Sequence, residues 1–206
     1  MSSRQRVVLA SNNPGKLREI KAIFRDLNFD LVPQSEFNVP DVAETGNSFI
    51  ANALLKARHA AGYCGLPAIA DDSGIEVDAL DGAPGIYSAR YAGAGAGDEA
   101  NLQLLLRNVA ATGVINPAAR FKCAMVYVRR GDDPAPVIAE GSWEGFIVPE
   151  PKGTNGFGYD PVFYVPEHRC TSAQLPPDVK NRISHRARAL HELTAKLKSI
   201  YPDGDI

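Results

Sequence analysis

The sequence contains no apolar run approaching the ~20 residues of a membrane-spanning helix. Near its N-terminus only Val7-Val8-Leu9-Ala10 is continuously apolar, too short for the core of a signal peptide. Cysteine is scarce and unpaired in pattern: Cys64, Cys123 and Cys170 are an odd count without a CxxC spacing, so neither a disulfide framework nor a zinc site is expected. These shortages point to a reduced, cytoplasmic protein without a membrane partner. An excess of either charge is missing too. Twenty-two Lys and Arg against 24 Asp and Glu leave a net charge of -2, and nucleic acid is not an expected partner, because displacing phosphate counterions needs a basic excess. With no internal repeat and no linker, residues 1–206 are expected to form a single domain. The 45% hydrophobic and 22% charged residues are those of an ordinary globular core and surface.

Charge is uneven along the chain. From Pro67 to Ala89 there are five carboxylates and no Lys or Arg, whereas Lys180 to Lys198 carries six Lys or Arg against Glu192 alone. Such runs fit two solvated faces of opposite sign, or the acidic and basic walls of one cleft holding a cation and an anion.

Hydrophobic spacing gives the elements. Arg6 to Ala10 reads as a strand, followed by Asn13 as N-cap and Pro14 as first residue of a helix carrying Leu17, Ile20, Ile23, Phe24 and Leu27. Asp30 to Pro33 is a second strand and Asn47 to Ala61 a second helix, with Glu44 just ahead of it. Ala68 to Asp71 reads as a buried strand, Gly74 as a turn and Ile75 to Val77 as a further short strand. Ala92 to Gly97 is a connection, after which Asp98 caps a helix to about Ala110. A long strand spans Phe121 to Val128, Val137 to Val148 is β-like but broken by Gly141 and Gly145, and a last helix runs from Ser184 to Ile200. Interspersed helices and strands, with adjacent strand runs between 119 and 148, specify an α/β fold with a mixed sheet.

Three segments carry chemistry. Ser11-Asn12-Asn13-Pro14-Gly15-Lys16 is a polar turn at a helix N-terminus, where backbone N–H groups favour an anion. It is not a P-loop, since Leu17 stands where that motif needs a hydroxyl, and an ordinary capped helix would read the same way. Asp71-Asp72-Ser73-Gly74 ends an apolar strand, and because adjacent strand residues face opposite sides, at most one of the two acids faces a given cleft. Turn capping would also account for them. A carboxylate of pKa about 3.9 facing water of pKa about 15.7 is mismatched by roughly 16 kcal/mol, so catalysis by either acid requires a metal to acidify the water. Glu44 is a second candidate ligand for a hard cation such as Mg2+. In Gly156-Phe157-Gly158-Tyr159-Asp160-Pro161 the glycines leave Phe157 free to offer its ring to a planar ligand and Asp160 free to accept from a base edge, although a tight loop around a core aromatic fits equally. Ser184-His185-Arg186, close after Lys180, places donors at a helix start.

Together these blocks resemble the HAM1/RdgB family of inosine and xanthosine triphosphate pyrophosphatases. The matching segments are Ser11 to Lys16, Glu44-Thr45-Gly46 with Phe49 and Asn52 to Ala57, Pro67 to Tyr91, Gly156 to Pro161 and Ser184 to Arg186, in family order over nearly the whole chain. The resemblance implies an elongated mixed β-sheet flanked by helices, two lobes around a central cleft, and a homodimer. It implies Mg2+-dependent hydrolysis of a purine nucleoside triphosphate such as ITP, dITP or XTP to the monophosphate and pyrophosphate. By motif position Asp72 is then the general base and a metal-site residue, with Glu44 the other metal-site carboxylate. Ser11, Asn12, Asn13, Pro14, Gly15, Lys16, Lys56 and Ser73 would hold phosphates and sugar, and Phe157, Gly158, Tyr159, Asp160, Lys180, His185 and Arg186 the base. Ala51 departs from the Glu often found at that point of the family's helix. The related Maf-like pyrophosphatases share the general fold and reaction but act on other nucleotides, and the blocks at 156–161 and 184–186 argue against that reading. A non-catalytic nucleotide-binding regulator would be expected to lack the carboxylates.

Overall fold

The computed structural model describes residues 5–23 and 29–201. Its seven-stranded sheet has the order β2-β1-β3-β4-β5-β6-β7. The strands are β1 (Gln5–Leu9), β2 (Phe29–Pro33), β3 (Ala68–Val77), β4 (Ala118–Val128), β5 (Val137–Ile147), β6 (Phe163–Val165) and β7 (Cys170–Thr171); the helices are α1 (Pro14–Ile23), α2 (Phe49–Cys64), α3 (Asp98–Thr112), α4 (Pro177–Ile183) and α5 (His185–Ile200). β1 pairs in parallel with both β2 and β3, while β6 runs antiparallel to β5 and β7, so the sheet is mixed, as the sequence predicts. Phe24 and Leu27, assigned from spacing to the first helix, lie outside the described residues.

The chain divides into two compact units. The first comprises residues 1–72, 123–141 and 186–206, the second residues 73–122 and 142–185. In the first unit alternation along β1 and β3 builds two cores. Val7, Leu9 and Ile69 point to one face and pack with Ile20 of α1 and Leu190, Leu193 and Leu197 of α5. Val8, Ala10, Ala68 and Ala70 point to the other face and meet Ala53, Ala57, Ala60 and Ala61 of α2, whose small side chains let the helix lie close to the sheet. Because β2 and β3 lie on opposite sides of β1, strand order reverses between β1 and β3, and the carboxyl ends of such strands are where open α/β sheets bind ligands.

In the second unit α3 buries Leu102, Leu105 and Val109 against Ile75, Val77, Trp143 and Ile147. Phe121 lies at the centre of this core, its ring 4.6 Å from Phe163.

Three local expectations change. β3 runs unbroken through Gly74, where no turn forms. A Cβ there would collide with the Gly85 carbonyl and the Ser88 hydroxyl, so the glycine serves close backbone approach. β5 likewise continues through Gly141 and Gly145, and a Cβ on Gly145 would strike the Tyr164 carbonyl and the Phe163 ring. Asp98 is the first residue of α3 rather than its cap. Gly97 stands at the cap, and the Asp98 carboxylate accepts instead from the Gly158 N–H at 2.9 Å.

Candidate active site

β3 carries two adjacent acids, and its pleat sends them to opposite faces. Asp72 follows Ala70 toward α2. There Lys56 Nζ donates to Asp72 Oδ1 at 2.9 Å and to Glu44 Oε1 at 2.8 Å, so both carboxylates converge on one ammonium. Ser48 caps α2 by accepting from the Ala51 N–H, which fixes where the helix begins and hence where Lys56 reaches. Burial raises the pKa of Asp72 above the usual carboxylate value, against the pull of Lys56 and Lys16. Burial works against the Lys56 charge, but Asp72, Asp71 and Glu44 outweigh it and hold its pKa up.

Asp71 follows Ile69 to the other face and is buried with two cations. Lys16 Nζ lies 3.0 Å from Asp71 Oδ2, and Arg186 Nε lies 3.5 Å from the same oxygen, with Arg186 also paired to Glu19 of α1. Burial alone would raise the Asp71 pKa, yet Lys16, Arg186 and Lys56 hold it well below the carboxylate range. Of the two acids, Asp71 is the internal counter-ion and Asp72 the one beside Glu44.

The turn after β1 is built as the sequence predicts. Asn13 Oδ1 accepts from the N–H groups of Gly15 at 2.8 Å and Lys16 at 3.1 Å, capping α1, and Ser11 Oγ accepts from Asn13 N at 3.3 Å. Asn12 donates to Asp41 at 2.6 Å, and Pro14 opens the helix.

The second unit holds a separate cluster. Lys180 donates to Asp160 Oδ2 at 2.5 Å, Phe157 N–H to the same oxygen at 2.8 Å and Ser172 to Oδ1 at 2.7 Å. Asp160 therefore orients Lys180 and its own loop, where the sequence suggested an acceptor for a base edge. Lys180 Nζ lies 5.4 Å from the Phe157 ring centroid, a cation–π contact. Gly156 is required twice over, by its φ of +81° and because a Cβ would meet the Asp160 carboxylate. Tyr159 is buried and donates to the Ser88 carbonyl at 2.8 Å, bracing the loop. His185 stacks on Phe121 at 4.7 Å, and Ser73 is half-buried on β3.

The Ham1 family model matches residues 7–196 of the chain. This chain belongs to the Ham1 family. It is 55% identical over 189 residues to a protein of Vibrio cholerae named dITP/XTP pyrophosphatase, covering 92% of this chain and 94% of that one. Among solved structures, a HAM1 protein from Coxiella burnetii superposes with a TM-score of 0.88 at 49% identity, covering 95% of this chain and 99% of that one. The Staphylococcus aureus Ham1 protein gives 0.82 at 44%, covering 95% and 100%.

Within this Ham1 chain the sequence-assigned residues fall into two sets. Ser11 to Lys16, Glu44, Lys56, Asp72 and Arg186 lie in the first unit, and Ser73, Phe157 to Asp160, Lys180 and His185 in the second. Among the described residues no three His, Cys, Asp or Glu side chains cluster as a closed metal site. The Glu44–Asp72 pair already surrounds a positive charge, that of Lys56, and two carboxylates, completed by waters and phosphate oxygens, are the kind of donor set that Mg2+ takes. Sequence reasoning overlooked Glu19, Ser172 and Asn52. For Asn52 the available signal was its i,i+4 spacing to Lys56, which puts both on one face of α2.

Proposed function

We propose that this chain hydrolyses non-canonical purine nucleoside triphosphates, ITP, dITP and XTP, to the monophosphate and pyrophosphate with Mg2+. The observation that carries this reading is the convergence of Glu44 and Asp72 on Lys56, beside the reversal point of the sheet. It occurs in a chain more than half identical to a protein named dITP/XTP pyrophosphatase. Glu44 and Asp72 would hold Mg2+, which would supply charge neutralisation on the triphosphate and acidify a water. Asp72 accepts the proton of the attacking water at its carboxylate, and its upward-shifted pKa suits a base better than that of an exposed acid. Lys16 and Lys56 meet phosphate oxygens. Phe157 offers its ring to the base, and Lys180, aimed by Asp160, donates to O6. An amino group in place of O6, as in adenine, leaves that buried donor without an acceptor, which costs about 1–3 kcal/mol. The same reading includes a cytoplasmic homodimer, whose subunit number sedimentation equilibrium measures.

The test is pyrophosphate release from ITP, dITP, XTP, ATP, GTP and dTTP, with Mg2+ and with EDTA. Preferential turnover of ITP, dITP and XTP that is lost in EDTA is expected. Asp72→Asn is expected to lower kcat by about 100-fold or more while retaining nucleotide binding. Wild-type rates in that variant overturn the assignment of the base, and a preference for dTTP overturns the substrate class in favour of a Maf-like activity.

A further inference from the structure

Asn52 is fully buried in the first turn of α2, where an amide must justify its two donors and its acceptor. Its orientation is fixed by its neighbours. A backbone N–H can only donate, so the atom 2.8 Å from Gly46 N is the carbonyl Oδ1, and Nδ2 then faces Asp72 Oδ2 at 3.2 Å. Lys56, one turn further along the same face, holds the other oxygen of Asp72 and one oxygen of Glu44. The chain at Gly46 approaches so closely that a Cβ there would lie 2.7 Å from Asn52 Oδ1 and 2.8 Å from the Ala51 Cβ. Glycine at 46 and asparagine at 52 are thus two halves of one contact.

We propose that Asn52 is a positioning residue for the carboxylate pair. Its single buried amide ties the backbone two residues beyond Glu44 to Oδ2 of Asp72, setting the relation of the two acids before cation or substrate arrives. The proposal rests on the pyrophosphatase reading only for the use to which the pair is put. Lys56 grips the same acids through a flexible stem and a rotatable ammonium. Asn52 reaches Asp72 alone, through a short planar amide whose other end is fixed by the Gly46 N–H, so it is the element that carries geometry rather than charge. Side chains that orient metal-binding carboxylates in this way typically change metal affinity or activity by about 10–100-fold when removed.

The experiment is a titration of nucleotide-free protein with Mn2+, free ion read by electron paramagnetic resonance, for wild type, Asn52→Ala, Asn52→Leu, Gly46→Ala and Glu44→Gln. Leucine keeps the branched outline of Asn52 without its hydrogen-bonding atoms, and Gly46→Ala disturbs the contact from the loop side with Asn52 intact. Both Asn52 variants and Gly46→Ala are expected to weaken Mn2+ binding by about 10–100-fold. The Mg2+ concentration for half-maximal ITP turnover should rise in parallel, and KM for ITP at saturating Mg2+ should change little. Mn2+ affinity within about twofold of wild type in the Asn52 variants, alongside weakened binding in Glu44→Gln, overturns the positioning role and leaves the proposed function standing. A lowered melting temperature with unchanged Mn2+ affinity does the same. Equal Mn2+ binding by wild type and Glu44→Gln removes the cation site itself, and this inference with it.

Discussion

Arg186→Met probes the charge network beneath the two adjacent acids. Arg186 is 2% exposed and Asp71 1%, and the guanidinium joins Asp71 of β3 to Glu19 of α1. Burial works against its charge, and Glu19 and Asp71 more than offset that, holding its pKa above the ordinary value. Methionine keeps much of the length but none of the charge, so Asp71 retains Lys16 and Glu19 loses this contact. Removing one member of a buried ion pair costs about 3–5 kcal/mol, which for a chain of this size corresponds to a fall in melting temperature of about 6–20 °C. Urea unfolding at pH 7, followed by far-UV circular dichroism, measures it. Because Arg186 and Asp71 are buried, the loss should be nearly the same at about 0.1 and about 1 M salt. Adding Glu19→Met should recover part of it, since an apolar pair can replace a buried ionic one. A loss below about 1 kcal/mol, or one that disappears in salt, refutes the view that Arg186 is internal scaffolding for Asp71.

Asp133 accepts from Arg129 N, Nε and Nη2 and from Ala135 N, at 2.8–3.0 Å. Asp133→Asn is expected to cost about 1–3 kcal/mol at pH 7 by urea unfolding. Hydrogen bonds from Arg129 hold the Asp133 pKa well below its ordinary 3.8, against burial. This stabilisation is therefore complete above about pH 4 and is lost as pH falls through the folded-state value, so the gap to the mutant should narrow at pH 3. A gap that widens in acid contradicts the sign. Gly74→Ala, whose Cβ would strike the Gly85 carbonyl, is expected to destabilise by about 1–3 kcal/mol, and a neutral result in the same assay would mean the backbone approach relaxes freely.

Much of the site was legible because its signals are local. Asn13 announces the cap of α1 two and three residues ahead of the N–H groups it accepts from. The opposite facing of Asp71 and Asp72 follows from strand alternation alone, although which acid meets which cation does not. Glycine was the consistent source of error. Gly74 and Gly145 resemble turn residues in sequence, but each is dictated by a carbonyl 11 to 19 positions away. α4 escaped notice because seven residues after Pro176 carry no clear period, and β6 and β7, of three and two residues, are too short to alternate. Asn52 was hidden for a related reason: its partners lie 6 and 20 positions away, and asparagine on a helix reads as solvent-facing until they are in view.

The opposite facing of Asp71 and Asp72 also constrains how the gene can change. The two residues have the same chemistry, and only the parity of their position on β3 gives one an internal cationic cage and the other a place beside Glu44. Inserting or deleting one codon for an apolar residue between Ala68 and Asp71 would preserve charge and both acids, yet shift the strand by one position and exchange their surroundings. A point substitution among these buried residues disturbs packing at one place, whereas a change of length exchanges the surroundings of both acids at once, so the spacing from Ala68 to Asp72 is itself a constraint on the segment.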